Sequence, residues 1–277
     1  MKLFEILPPR DDDSGAGGQQ SNMSKKDPKQ VIALMEQFYS ILQSVANDPS
    51  NSKDNYYSLE LAVSHSSPEF TFYIAVPQEM EDLFNKSLRG YFPGIEIREC
   101  NSDYNIFPVK AFSAGAYSKS IEESMLPIKT YKKMEGDPIS VLINVFNKLN
   151  SKGEGASLQI LVRPAGDKFK SKYGEVLDYM RKGDKFKKAI KRSTHLGSVF
   201  LSIKEAISSN DKEKTEQKGY KEEEYTKLIT EKLSATILDT NVRLIASSGS
   251  KERSVAILAD LKSVFKQYSE NDGNSLK

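Results

Sequence analysis

The stretch Tyr57–Glu99, YSLELAVSHSSPEFTFYIAVPQEMEDLFNKSLRGYFPGIEIRE, decides how the rest of the chain is read. Tyr57, Leu59, Leu61 and Val63 alternate with Ser58, Glu60, Ala62 and Ser64, the period of a strand buried on one face. SHSSPE turns the chain, and Phe70, Phe72, Ile74 and Val76 alternate along the returning strand. After Pro77 the period becomes helical, with Met80, Leu83, Phe84, Leu88 and Tyr91 on one face until Pro93-Gly94 ends it. Ile95 and Ile97 open a third strand. Strand, strand, helix, strand is most of a ferredoxin-like, split βαβ motif.

Upstream, MKLFEILPPR (1–10) alternates and stops at two prolines, which predicts a short opening strand at a sheet edge. Residues 11–26 (DDDSGAGGQQSNMSKK) hold one apolar anchor, Met23, and read as a flexible linker. Asp27-Pro28 supplies a cap and a first helical residue. Val31, Leu34, Met35, Phe38, Ile41, Leu42 and Val45 then follow at helical spacing. Residues 27–108 thus form a first α/β unit.

Downstream the rhythm recurs. Residues 109–118 read as a strand and 127–133 as a short extended segment. Asp137-Pro138 opens a helix expected to turn Ile139, Leu142, Ile143, Phe146 and Leu149 inward. Leu158, Ile160 and Val162 alternate along a strand. Asn241–Ala246 is another, and Val255, Leu258, Leu261, Val264, Phe265 and Tyr268 form a last amphipathic helix. Residues 109–166 and 235–277 are therefore a second unit, a degenerate copy of the first by element order. Residues 167–234 are a charged helical insertion. The expected class is α+β: two ferredoxin-like units with amphipathic helices on mixed or antiparallel sheets.

Composition narrows function mainly by exclusion. The 277 residues are 38% hydrophobic with 13 Tyr and 13 Phe, enough to build a core. No apolar run is longer than that of Phe72–Val76, which falls far short of the ~18 residues of a membrane helix, and no secretion signal opens the chain. With one cysteine, Cys100, a disulfide framework is excluded, and a reducing, cytoplasmic setting is expected. Forty basic against 38 acidic residues give only +2. His65 and His195 sit in no metal-binding spacing, and no Gly-Lys dipeptide exists to form a phosphate-binding loop. Gly153-Glu154-Gly155 reads as a helix-to-strand turn, and Glu222–Glu224 as a solvated face. No catalytic, cofactor-binding or metal-binding residue is expected.

One segment has functional content. Residues 167–192 carry ten Lys/Arg and four Asp/Glu, a local +6. Lys182, Lys185, Lys187, Lys188, Lys191 and Arg192 are interleaved there with Tyr179, Phe186 and Ile190. They are candidate contacts to phosphates of a nucleic acid or anionic lipid. The alternative is a charged exposed face whose aromatic residues anchor the helix instead of stacking on bases.

Several segments in order resemble the amino-terminal region of membrane-anchored type IV secretion (conjugative transfer) ATPases, coupling-protein or VirB-type, of the bacterial HerA/FtsK superfamily. They are Pro8-Pro9-Arg10, Glu36–Leu42 (EQFYSIL), Ser58–Leu61 (SLEL) and Phe70–Pro77 (FTFYIAVP). Tyr91–Ile97 (YFPGIEI), Leu126–Tyr131 (LPIKTY), Asp137–Ile139, Leu158–Pro164 (LQILVRP) and Asn274–Lys277 continue the series. The resemblance implies a non-catalytic assembly or docking module, one part of a larger machine, a split subunit among the options. The membrane helices and nucleotide-binding motor of such proteins are not in this chain. The partners implied are other subunits of a secretion or conjugation complex, or the parent's own motor. Any membrane contact would run through segments outside these residues.

Overall fold

The computed structural model describes residues 1–8, 28–46, 56–134, 136–150, 152–165, 167–194 and 216–277. The linker at 11–26 and His195 lie outside them. The fold is α+β, and among the described residues every named strand joins one seven-stranded antiparallel sheet. The strands are β1 (Lys2–Leu7), β2 (Tyr57–Val63), β3 (Phe70–Val76), β4 (Glu96–Glu99), β5 (Phe112–Tyr117), β6 (Gly155–Pro164) and β7 (Leu238–Ser248). Their order is β4-β1-β3-β2-β6-β7-β5. The helices are α1 (Pro28–Ala46), α2 (Glu81–Tyr91), α3 (Pro138–Phe146), α4 (Asp167–Arg181), α5 (Phe186–Arg192), α6 (Glu216–Ser234) and α7 (Lys251–Val264).

β1-α1-β2-β3-α2-β4 with sheet order 4-1-3-2 is a complete ferredoxin-like unit. β1 is not the edge strand its prolines suggested. It lies between β3 and β4, with Phe4 opposite both Ile74 and Glu99. Phe4 and Ile6 must face the helices, and only an inner position buries them. The second half repeats the order: β5, α3, β6, β7 and α7 stand where β1, α1, β2, β3 and α2 stand in the first. The two halves meet where β2 pairs with β6, from Tyr57↔Val162 to Val63↔Ala156, so separate sheets are replaced by a continuous one.

Apolar residues of one parity line the helix-covered face. Phe4, Phe38 and Phe84 form an aromatic group under α1 and α2, with ring centroids 5.9 Å apart for Phe4–Phe84 and Phe38–Phe84. Leu142, Phe146, Ile257 and Leu261 cover Leu158, Leu244 and Ala246 in the second half. Two expected core residues point outward instead: Ile139 is 44% and Val255 51% exposed. The buried stripes of these short helices are Leu142/Phe146 and Ser254/Ile257/Leu261, which rotates those neighbours to solvent. Asp137 caps α3 by accepting the Ile139 N–H. Residues 131–133 form a 3₁₀ turn, not an extended segment.

Because β4 and β5 are opposite edges, residues 100–111 must cross the sheet. Six inter-strand gaps measure about 29 Å, within the roughly 40 Å reach of twelve extended residues. The strap crosses the face opposite the helices. Tyr104 stacks on Tyr73 (4.7 Å) and its hydroxyl donates to Glu60 Oε2 at 2.5 Å. Gln159 Nε2 donates to the same carboxylate oxygen at 3.0 Å, and Ser157 Oγ lies 2.9 Å from the Tyr104 oxygen. Ile106 is buried against Gly155, where a Cβ would stand 2.2 Å from the Ile106 carbonyl oxygen. Backbone cannot yield as a side chain does, so only glycine fits.

Gly155→Ala should therefore lower stability by about 3 kcal/mol, read from the urea midpoint. Gly90→Ala, on an exposed helical position with nothing within 4 Å of the added methyl, should raise it by up to about 1 kcal/mol.

Candidate partner-binding surface

The basic stretch lies in a small helical subassembly inserted between β6 and β7. Tyr173, Val176, Leu177 and Met180 of α4 pack with Phe186 and Ala189 of α5 and Ile229 of α6, against Met125 and Leu126. Gly183 turns the chain with φ +98. Glu222 Oε2 accepts the Phe186 N–H at 2.7 Å and so starts α5, a specific role in place of the solvated face expected of it. Lys232 is largely desolvated, which pushes its pKa down, and donates to the Ser124 carbonyl.

Asp184 divides the six candidate cations. It accepts from Arg192 Nη1 at 2.5 Å and pairs with Lys188 Nζ at 3.1 Å. Burial pushes the Asp184 carboxyl up, but these two partners outweigh it and hold the carboxyl below its usual range. Arg192 also lies 5.4 Å from the Tyr179 ring centroid. Lys188 and Arg192 are thus structural, whereas Lys182, Lys185, Lys187 and Lys191 are exposed. Of the interleaved apolar residues, Phe186 is buried at 4.9 Å from the Tyr225 ring, and Tyr179 and Ile190 pack on the same core. They anchor the helices.

A paired carboxylate escaped the sequence reading. Glu154, buried in the turn before β6, takes a bidentate pair from Arg253 (Nε to Oε1 2.8 Å, Nη2 to Oε2 2.9 Å). It also accepts the backbone N–H and side-chain amide of Asn150, each at 2.9 Å. Arg253, then Asn150, hold its pKa near 2 against the opposing effect of burial. The partners are 99 positions apart, so no spacing could reveal them. Cys100 is half-buried, and burial pushes its thiol up, away from nucleophilic character.

Exposed apolar side chains gather at the β5 side. Phe107, Val109, Phe112, Tyr117 and Ile121 are all exposed, Val109 by 92%. The Lys119 ammonium lies 5.2 Å from the Tyr117 ring centroid. A shallow, open depression of about 430 Å³ lies between β5 and β7, lined by Gly115, Tyr117, Asn241, Arg243 and Ile245. A second, of about 400 Å³, separates α4 from α6. Neither encloses a small molecule as ligand cavities do. Among the described residues no group of three or more His, Cys, Asp or Glu could hold a metal, and no helix is long and apolar enough to cross a membrane.

The fold and surface define an α+β protein of two fused ferredoxin-like halves with exposed charged and apolar patches. The chain belongs to the DUF8128 family, a domain of unknown function whose model matches residues 21–275. No sequence among the curated proteins matches it. Among solved structures it is similar to aclacinomycin oxidoreductase at 10% identity and a TM-score of 0.38. That match covers 96% of this chain and 40% of the length of the oxidoreductase.

The Glu154 pair has a pH signature. Its folded pKa, near 2, lies below its ordinary 4.5, so its stabilisation is complete above pH 4.5 and lost as pH falls through 2. Arg253→Met should cost about 2 kcal/mol at pH 7 and flatten the stability–pH curve between those values.

Proposed function

We propose that this chain is a non-catalytic assembly and docking module of a membrane-associated type IV secretion ATPase, working at the cytoplasmic face of the membrane. The observation that carries the docking part is the distribution of side chains. Tyr104, Glu60 and Gln159 are bound to one another under the strap, and Glu154 is bound to Arg253, whereas large apolar residues stand exposed beside an edge strand. Groups locked into the frame make a rigid platform, and exposed apolar groups at one edge suit contact with another protein. The ordered segment resemblance from Pro8 to Lys277 supports the choice of machine. In that role the sheet holds neighbouring subunits, or the parent's motor, in fixed orientation, and the motor supplies ATP hydrolysis. Membrane contact runs through other parts of the machine.

Co-expression with a motor domain carrying GxxxxGK[ST] from the source genome tests this. A stable complex in sedimentation velocity at micromolar concentration is the expected result. Failure of every such motor to bind at that concentration would reject the assignment.

A second reading is a nucleic-acid-binding module on residues 167–192, favoured by the exposure of Lys182, Lys185, Lys187 and Lys191. Four phosphate contacts would give a slope of about −3 to −4 in log K against log salt. Replacing those four lysines by alanine should abolish the slope without unfolding the helices. Lys188→Ala and Arg192→Ala should instead weaken the packing around Asp184. Absence of single- or double-stranded DNA binding at low salt would eliminate this reading.

A further inference from the structure

We propose that the β5 edge is a strand-addition site, which takes an extended segment of another polypeptide running antiparallel to β5 with alternating apolar and acidic side chains. The inference rests on the docking reading but not on which machine is docked.

The internal repeat defines the vacancy. In the first half, β4 lies beside β1 and completes the unit. The corresponding place beside β5 is occupied only at one end. There Lys119 and Lys277 exchange two backbone hydrogen bonds (2.9 and 3.0 Å), and the Ile121 N–H donates to the Ser275 carbonyl at 3.0 Å. The Ser120↔Leu276 bridge is antiparallel, as β4 is to β1. Along 112–117 no strand lies on the outer side of β5 among the described residues.

Parity identifies the outward groups. The Ser118 N–H donates inward to the Val242 carbonyl, and that of Lys119 outward to Lys277. Ser113, Gly115 and Tyr117 therefore present their N–H and C=O groups in the same outward row as Lys119 and Ile121. FSAGAY contains no charge or proline, the devices that usually protect an edge from pairing.

The side chains indicate the occupant. Phe112, Ala114 and Ala116 share the helix-side face with their β7 partners Ser248, Ala246 and Leu244. The two alanines leave room for larger apolar residues on an added strand, next to exposed Phe112. On the other face, Tyr117, Arg243 and Lys119 favour acidic partners. A second copy fits less well. Its own β5 edge, FSAGAY, carries no acidic residue to meet Arg243 and Lys119.

The test is titration of the full chain with a fluorescein-labelled heptapeptide alternating isoleucine and glutamate, followed by anisotropy and amide hydrogen exchange. Saturable binding with slowed exchange at Ser113, Gly115 and Tyr117 is expected. A lysine-for-glutamate peptide should bind about tenfold more weakly. Gly115→Pro removes only an outward N–H and should abolish binding with the circular dichroism unchanged. If that variant fails to fold, a heptapeptide N-methylated at alternate residues, which cannot extend the ladder, should lose binding to the native chain. No saturable binding, or binding that survives both blocks, overturns the proposal. So does self-association of the chain that protects the same three amides. Peptide binding without motor binding would reject the secretion assignment and leave this site standing; motor binding without peptide binding would do the reverse.

Discussion

The antiparallel pairing of β2 with β6 is the constraint on which the remaining architecture depends. Seven consecutive residue pairs fuse two half-sheets, and both strands place apolar residues of matching parity on the helix side: Leu59 opposite Ile160, Leu61 opposite Leu158. A one-residue slip would turn those side chains under the strap and Glu60 and Gln159 into the helix-covered core, so burial fixes the register. The same pairing sends β4 and β5 to opposite edges. The chain between them then has to span the whole sheet, which is why Tyr104, Ile106 and Gly155 are joined so closely.

The two halves share a plan and differ where they are specialised. In the first, β2 and β3 are linked by a short turn at 64–69. In the second, the equivalent connection between β6 and β7 carries α4, α5 and α6 with most of the local positive charge. In the first half the fourth strand is complete; in the second it is reduced to the bridge at Leu276. The shared elements build the sheet, and the unshared ones carry the exposed lysines and the exposed apolar edge.

Charge is used at two levels. The overall balance of +2 conceals both a basic segment and the pairs that fasten the fold. Asp184 draws two cations out of the basic segment, and Arg253 is bound to Glu154 across 99 residues. Half-buried pairs of this kind are sensitive to loss of one partner, because the other charge is left poorly solvated. Counting charges along the chain therefore overstates the surface available to an anionic partner: four of the six candidate cations are exposed and outside the Asp184 cluster.

Local pattern alone determined much of the secondary structure. The alternation of Tyr57–Val63 and Phe70–Val76, the helical stripe of Met80–Leu88 and the Asp137-Pro138 cap all act within a few residues, where periodicity and turn chemistry operate. The repeat was also legible, because element order needs no knowledge of contacts. Only the tertiary structure placed β1 between β3 and β4, merged two units into one sheet and turned Ile139 and Val255 outward. It alone brought Glu154 to Arg253 and left β5 at an edge. Each of these depends on which distant segment competes for the same face or hydrogen-bonding row, and that competition is settled by packing in three dimensions.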